Sequence, residues 1–333
     1  MEPTETTSSK NASRALIAAY VLDQHGHGTA VDWDGIAAWC PEQGLLWVHL
    51  DYTFPEAQQW LRETSGLDTV ACEALLAEET RPRSVVFRDE LLLQLRGVNL
   101  NPGADPEDMV AIRLWSDGNR IVSTRRRRLL SVSDMCQAIE TGRGPCSCGE
   151  FVVDLADRLA QRMATVIDGI NDSVDELEEQ VMTLKSHELR TRIASLRREA
   201  ITLRRYLSPQ REAMTRLYGE RVSWIDELER LRLREVADRT TRYVEDLDSV
   251  RERATVVQEE LMSGLSEQMD RRMYVLSIVA ALFLPLGFLT GLLGINVGGI
   301  PGAENHYAFL AFALALAVLL VIQLLIFKWK RWF

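Results

Sequence analysis

The sequence predicts an α+β cytoplasmic domain, a long-helix coiled-coil stalk and two transmembrane helices. Three observations predict it. Two uncharged runs of twenty-one residues, Met273–Leu293 and Tyr307–Phe327, lie close to the C-terminus. At 1.5 Å of rise per residue, such a run spans roughly 30 Å, the hydrocarbon thickness of a bilayer. Ahead of them, apolar residues recur at steps of three and four, the mark of helices packed lengthwise. Further upstream, strand-like runs alternate with turn clusters. The implied division is a disordered N-terminus (1–13), a cytoplasmic α/β domain (14–149) and an antiparallel helical hairpin (150–222). A stalk helix (223–294) follows, continuous with the first span, whose membrane part is 273–294. Then come a periplasmic loop (295–306), the second span (307–327) and a basic cytoplasmic C-terminus (328–333).

In the first domain the strand-like runs are Ala15–Leu22, Leu45–Leu50, Ser84–Phe87, Leu91–Asn99, Met109–Trp115 and Arg120–Thr124. Helical patterns fall between them at Trp33–Trp39, Pro55–Glu63 and Asp68–Ala77. Asn101-Pro-Gly-Ala-Asp and Asp117-Gly-Asn separate the last three strands, which predicts an antiparallel meander. Arg125–Arg128 reads as a solvated turn into a helix over Leu129–Ile139, with binding of a nucleotide or lipid headgroup as the other reading. The domain has no phosphate loop, nucleophile elbow or paired zinc-ligand spacing, so an enzyme is not expected.

Beyond the Gly/Pro/Cys linker Gly142–Gly149, the chain reads as helical. Leu159, Met163, Val166, Ile170, Val174, Leu177, Val181 and Leu184 form one stripe. Leu189, Ile193, Leu196, Ala200, Leu203 and Leu207 form a second, with Ser186 as its candidate cap. Pro209 should kink that helix without ending it, since Met214 and Leu217 continue the pattern. Asp168, Asp172, Asp175, Glu176, Glu178 and Glu179 make an acidic outer face, either plainly solvated or a field that attracts cations. Ser223, with Asp226 three residues on, suggests a capping box for the next helix. Val236, Thr240, Tyr243, Leu247, Val250, Ala254, Val257 and Leu261 then form an unbroken seam, which continues through Leu265, Met269 and Met273. Such a seam needs partners, and copies of the same helix are the natural ones.

The net charge of −10 is unevenly placed. From Asp270 onward, Arg271, Arg272, Lys328, Lys330 and Arg331 outnumber Asp270 and Glu304, which leaves −13 on residues 1–269. That balance argues against nucleic acid as a partner. The basic residues flank the outer ends of both spans, so both termini should face the cytoplasm and the loop the outside. Trp329, Trp332 and Phe333 fit an interfacial anchor. No signal peptide is recognised in the polar stretch Met1–Ala12. The five cysteines (40, 72, 136, 146 and 148) lie in the cytoplasmic part, where disulfides are not expected. Cys146-Ser-Cys148 could bind a soft metal but lacks a second ligand pair and reads as a plain loop; His25-Gly-His27 is read the same way, with metal binding as the lesser alternative.

The first span ends in a motif. Tyr274–Asn296 reads YVLSIVAALFLPLGFLTGLLGIN, followed by Val297-Gly-Gly-Ile-Pro-Gly302. Pro285, Leu286, Phe288, Gly291, Gly294 and Asn296 resemble the CorA superfamily of divalent-cation transporters. Its signature is Gly-x-Asn closing the first of two C-terminal spans. Ile295, in place of the family's Met, and the Gly-Gly-Ile-Pro-Gly sequel resemble the zinc-transporting ZntB branch. Glu79-Thr-Arg-Pro-Arg resembles the family's Thr-Arg-Pro segment before its cytoplasmic sheet.

The resemblance implies a funnel-shaped homopentamer in a bacterial cytoplasmic (inner) membrane. The first span would line a pore through Asp270, Met273, Leu276, Ser277, Ala280, Leu284, Gly287 and Gly291. Met273, Leu276 and Leu284 would be hydrophobic constrictions, with ordinary helix packing as the competing role. Gly294, Ile295 and Asn296 would form the selectivity motif, with the Asn296 amide holding the water shell of a divalent ion. Glu304 and His306 are candidates for cation capture at the mouth, imidazole suiting zinc. Zn2+ would be cargo, with other divalent cations also possible and no cofactor bound permanently; the partners would be copies of this chain and membrane lipid. Uptake, with or without coupling to protons, is the expected direction. A magnesium/cobalt channel, zinc efflux and a membrane-anchored structural or sensory coiled coil remain as alternatives.

Overall fold

The computed structural model describes residues 14–183, 187–294 and 306–329. The candidate cap Ser186, the segment 295–305 and the residues before 14 and after 329 lie outside that set. The chain forms two compact units, Met1–Gln258 and Glu259–Phe333.

The first unit is built on seven strands: β1 Leu16–Leu22, β2 Gly28–Ala30, β3 Leu45–Asp51, β4 Arg83–Phe87, β5 Glu90–Gly97, β6 Val110–Ser116 and β7 Arg120–Arg125. They form one sheet in the order β2-β1-β3-β7-β6-β5-β4. The meander runs through β4, β5, β6 and β7, every pair antiparallel. β3 joins it in parallel, with Trp47 opposite Ile121. Successive side chains on a strand point to opposite faces, and here both faces are covered. Leu46, Val48, Leu50, Leu92, Trp115 and Val122 belong to one core, capped by α1 Trp33–Ala38, α2 Pro55–Gln59 and α3 Thr69–Leu76. Trp47, Leu91, Leu93, Leu95, Ile112, Leu114 and Ile121 belong to the other. That second core takes Val132, Met135 and Ile139 from α4 Leu130–Glu140, and Phe151, Leu155 and Leu159 from α5 Cys148–Thr183.

Helix α6, His187–Gly219, carries Pro209 inside it without interruption. Helix α7 runs from Glu227 to Leu293. Its start corrects the expected cap. The Glu229 amide donates to Asp226 Oδ1, and the Asp226 amide donates to Glu229 Oε2, both at 2.7 Å, so the capping box is Asp226/Glu229. Ser223 is engaged elsewhere. Its amide and hydroxyl both donate to Asp89, at the β4–β5 turn, where Arg88 and Asp89 adopt φ of 49° and 70°. Ser147, at the start of α5, donates to Glu229 Oε1 at 2.5 Å. A Cβ on Gly149 would lie 2.0 Å from Glu229 Oε2, so a side chain there would push the carboxylate off Ser147 and the Asp226 amide.

The seam on α7 behaves differently from the expectation. Val236, Thr240, Leu247, Val250, Ala254, Val257 and Leu261 are all buried within a single chain. The facing stripes are buried too: Ile170, Val174, Leu177 and Val181 on α5, and Ile193, Ala200, Leu203 and Leu207 on α6. Ion pairs tie the helices together. Arg232 meets Asp154 at 2.8 Å, Arg253 meets Glu178 at 2.7 Å, and Arg204 meets Asp248 at 2.6 Å. The Val236–Leu261 seam therefore pairs inside the chain and gives no reason for self-association. Only beyond it, at Met269 and Met273, does the pattern stay uncovered.

The second unit contains the end of α7 and helix α8, Ala308–Trp329. Both helices are long and apolar enough to cross a membrane. From Met262 onward, Ile278 and Phe327 are the only apolar side chains buried among the described residues.

Candidate ion pathway

The last turns of α7 are uncharged from Met273 to Leu293. At 100° per residue, Asp270, Met273, Leu276, Ser277, Ala280, Leu284, Gly287 and Gly291 fall within about a third of the helix circumference. Met273, Leu276 and Leu284 are 56%, 61% and 71% exposed. Val275, on another side, is 55% exposed, whereas Ile278 is buried, so a single chain leaves most of the helix, the stripe included, open.

The polar groups of this stretch turn inward on the helix. Ser277 Oγ donates to the Met273 carbonyl at 2.8 Å. Thr290 Oγ1 reaches the Leu286 and Gly287 carbonyls, each at 3.0 Å. Pro285 lies inside the helix and has no amide hydrogen, so the Ala281 carbonyl lacks its helical donor. Sequence reasoning named Pro285 only as part of a motif and missed that acceptor. Gly287 and Gly291 have open space where a Cβ would stand. Gly294 differs. Its amide donates to the Thr290 carbonyl at 2.9 Å, and a Cβ there would sit 2.8 Å from that same oxygen. Glycine thus closes the helix more tightly than an L side chain allows. Ile295, Asn296 and Glu304 lie outside the described residues, and His306 is exposed just ahead of α8.

Asp175, Glu176 and Glu178 of the acidic α5 face have arginine partners. Arg253 binds both Asp175 and Glu178, and this hydrogen bonding holds the Glu178 carboxyl below the usual glutamate range. Glu176 meets Arg192 at 3.4 Å. Among the described residues, no three His, Cys, Asp or Glu side chains gather as a metal site. Cys148 is buried, which pushes its thiol up to about 12, whereas Cys146 is exposed. The amides of His25 and His27 donate to Asp23 Oδ1 at 2.8 and 2.9 Å, an ordinary loop arrangement.

Residues 42–331 match a family model described as CorA-like Mg2+ transporter protein. The divalent cation transporter CmaX of Pseudomonas aeruginosa is 43% identical over 327 residues, covering 96% of this chain and 97% of that one. The zinc transport protein ZntB of Yersinia pseudotuberculosis is 37% identical over 316 residues, 95% of each. The structure of full-length CmaX superimposes with a TM-score of 0.83 over 96% of this chain and 98% of that one, at 43% identity. The CorA magnesium transporter of Methanocaldococcus jannaschii shares the fold, with a TM-score of 0.80 at 17% identity over 95% of this chain and 99% of that one. The α+β domain, the long helix and the paired apolar helices are thus the architecture of known transporters, and the chain belongs to the family of CorA-like Mg2+ transporter proteins.

Proposed function

We propose that this chain transports divalent cations across the bacterial cytoplasmic membrane, that zinc is its cargo, and that five copies form the path. The observation that carries the reading is the first span, uncharged over twenty-one residues, followed at once by Gly294-Ile295-Asn296, and burying only Ile278 within its own chain. Two helices cannot enclose a water-filled path, whereas a ring of chains can. The names of the relatives, a divalent cation transporter and a zinc transport protein, support the cargo. The copy number rests on the family resemblance.

In this reading the Asp270–Gly291 stripe faces the axis, and Met273, Leu276 and Leu284 are constrictions that gate by dewetting. Asn296 oxygens accept hydrogen bonds from the ion's water shell at the outer end, where Gly294 lets the backbone close tightly. Glu304 raises the local cation concentration and His306 adds a nitrogen ligand suited to zinc. Arg271 and Arg272 at one end, with Lys328 to Arg331 at the other, hold both termini inside. Transport runs inward, linked to protons.

Proteoliposomes holding a zinc-sensitive dye test this. Zinc influx above that of protein-free vesicles, varying with imposed pH and voltage gradients, supports the reading. Loss of dye signal from zinc-preloaded vesicles under the same gradients would reverse the direction. Magnesium flux without zinc flux would establish instead a magnesium channel, the second reading, which the family's own description favours.

A further inference from the structure

A cleft of about 350 Å³ opens on the sheet of the first unit, lined by Arg96, Arg113, Arg126, Arg127, Tyr52 and Glu78 among others. Its floor is Arg113, on β6, only 1% exposed. Arg113 Nη2 donates to the Glu78 carbonyl at 3.1 Å, and the guanidinium lies 4.7 Å from the centre of the Tyr52 ring. Its Nε and Nη1 are buried and bond to nothing. Arg96 is fixed beside it, donating to the Thr80 carbonyl at 2.9 and 3.2 Å and to the Met109 carbonyl at 3.0 Å. Asp108 neutralises Arg127, with Nη2 to Oδ1 at 3.1 Å. Among the described residues, no carboxylate forms an ion pair with Arg96, Arg113 or Arg126. Burial disfavours the charge of both; Arg96 adds to this at Arg113, as Arg127 and Arg205 do at Arg96.

A buried guanidinium without a counter-charge is costly, because desolvation is not repaid by pairing. Arginine does not escape the cost by losing its proton. This one stands in a chain of net charge −10, where carboxylates outnumber bases. An adjoining cleft, lined by Arg81 and Arg205, shares Arg96 and extends the positive surface. Guanidinium forks match the paired oxygens of phosphate and engage them bidentately. The space exceeds that of one inorganic phosphate, so a ligand with two or more linked phosphate groups fits it better.

We propose that this cleft binds a soluble polyphosphate anion, free or as a phosphate ester, with Arg113 at its floor and Arg96 and Arg126 on its walls. The site lies in the first unit, and its failure would leave the transport reading untouched.

The test is calorimetric titration of the full-length protein in detergent with pyrophosphate and with ATP, metal-free and at constant ionic strength. Wild type should bind at least one of them. Binding of pyrophosphate alone identifies a free polyphosphate, and binding of ATP a phosphate ester. Arg126→Glu, exposed at the rim, should weaken binding about tenfold or more. Arg113→Lys keeps the charge but loses the fork, and should weaken it as well. Arg128→Glu makes the same charge change outside the cleft and should leave affinity nearly unchanged. Absence of binding by wild type would overturn the proposal. So would equal losses in Arg126→Glu and Arg128→Glu, which would reduce the effect to a diffuse field.

Discussion

Replacing Leu247 with alanine distinguishes a seam that closes inside one chain from one that joins copies. Leu247 is 0% exposed in the single chain, and its seam neighbours Val250 and Ala254 are at most 1% exposed. Leu→Ala at such a site removes apolar burial and leaves a cavity, at a cost of about 2–5 kcal/mol. Taking about 3 kcal/mol, and 2–4 °C of melting temperature per kcal/mol for chains of roughly this size, the midpoint should fall by about 6–12 °C. The oligomer should persist below that midpoint, since no copy is needed to cover Leu247. Met269→Ala should do the opposite. Met269 is 68% exposed in one chain, so its loss should barely move the melting point but should weaken assembly. Thermal unfolding by circular dichroism, with native mass measurement in detergent, reads both quantities. An assembly broken by Leu247→Ala at an unchanged melting temperature would refute the intrachain seam.

Three further outcomes are expected. Asn296→Ala should abolish zinc flux in proteoliposomes while leaving the oligomer intact; each chain loses a hydrogen bond to the ion's water shell, about 1 kcal/mol or more apiece. Normal flux in that variant would reduce Asn296 to a helix cap. Glu304→Gln should raise the zinc concentration needed for half-maximal flux, more at low salt than at high, because it removes a field and no contact. A cysteine placed at Ala303 should react with an impermeant thiol reagent in intact cells, whereas the native Cys146 should react only after lysis. Cys146 is the informative control because it is exposed, whereas Cys148 is buried and silent on either side.

Local patterns were readable, and long-range partnerships were not. The alternation Leu46/Val48/Leu50 against Trp47 announced β3, but nothing near it announced the parallel pairing with β7, a register fixed by residues some seventy positions away. β2 has three residues, too few for any period. Ser223 looked like a cap because its spacing was right; the Asp89 carboxylate, reached only through the fold, claims it instead. A four-three seam reads the same whether its partner is a copy or the preceding helices, so Val236–Leu261 was legible as a seam and illegible as to partner. Asp175, Glu176 and Glu178 on the α5 acidic face resolve the same way, since Arg253 and Arg192 come from elsewhere in the chain. The Gly294-Ile295-Asn296 motif was legible because it is contiguous. The arginine cleft was not: Arg113 sits mid-strand, and a charged residue in an alternating strand ordinarily points to water.

The hydroxyls of Ser277 and Thr290 donate their protons to carbonyls of their own helix. A channel wall made from this segment would offer a passing metal no anionic group and few strong donors or acceptors between Met273 and Gly294. Stripping an inner coordination sphere there would go uncompensated, so the ion would have to travel as an aquo complex. Such a conduit sorts its traffic by the girth and rigidity of the hydrated particle more than by ligand preference. Nickel and cobalt, whose aquo ions resemble that of zinc, should therefore compete with zinc in flux measurements, whereas large, loosely hydrated monovalent ions should not.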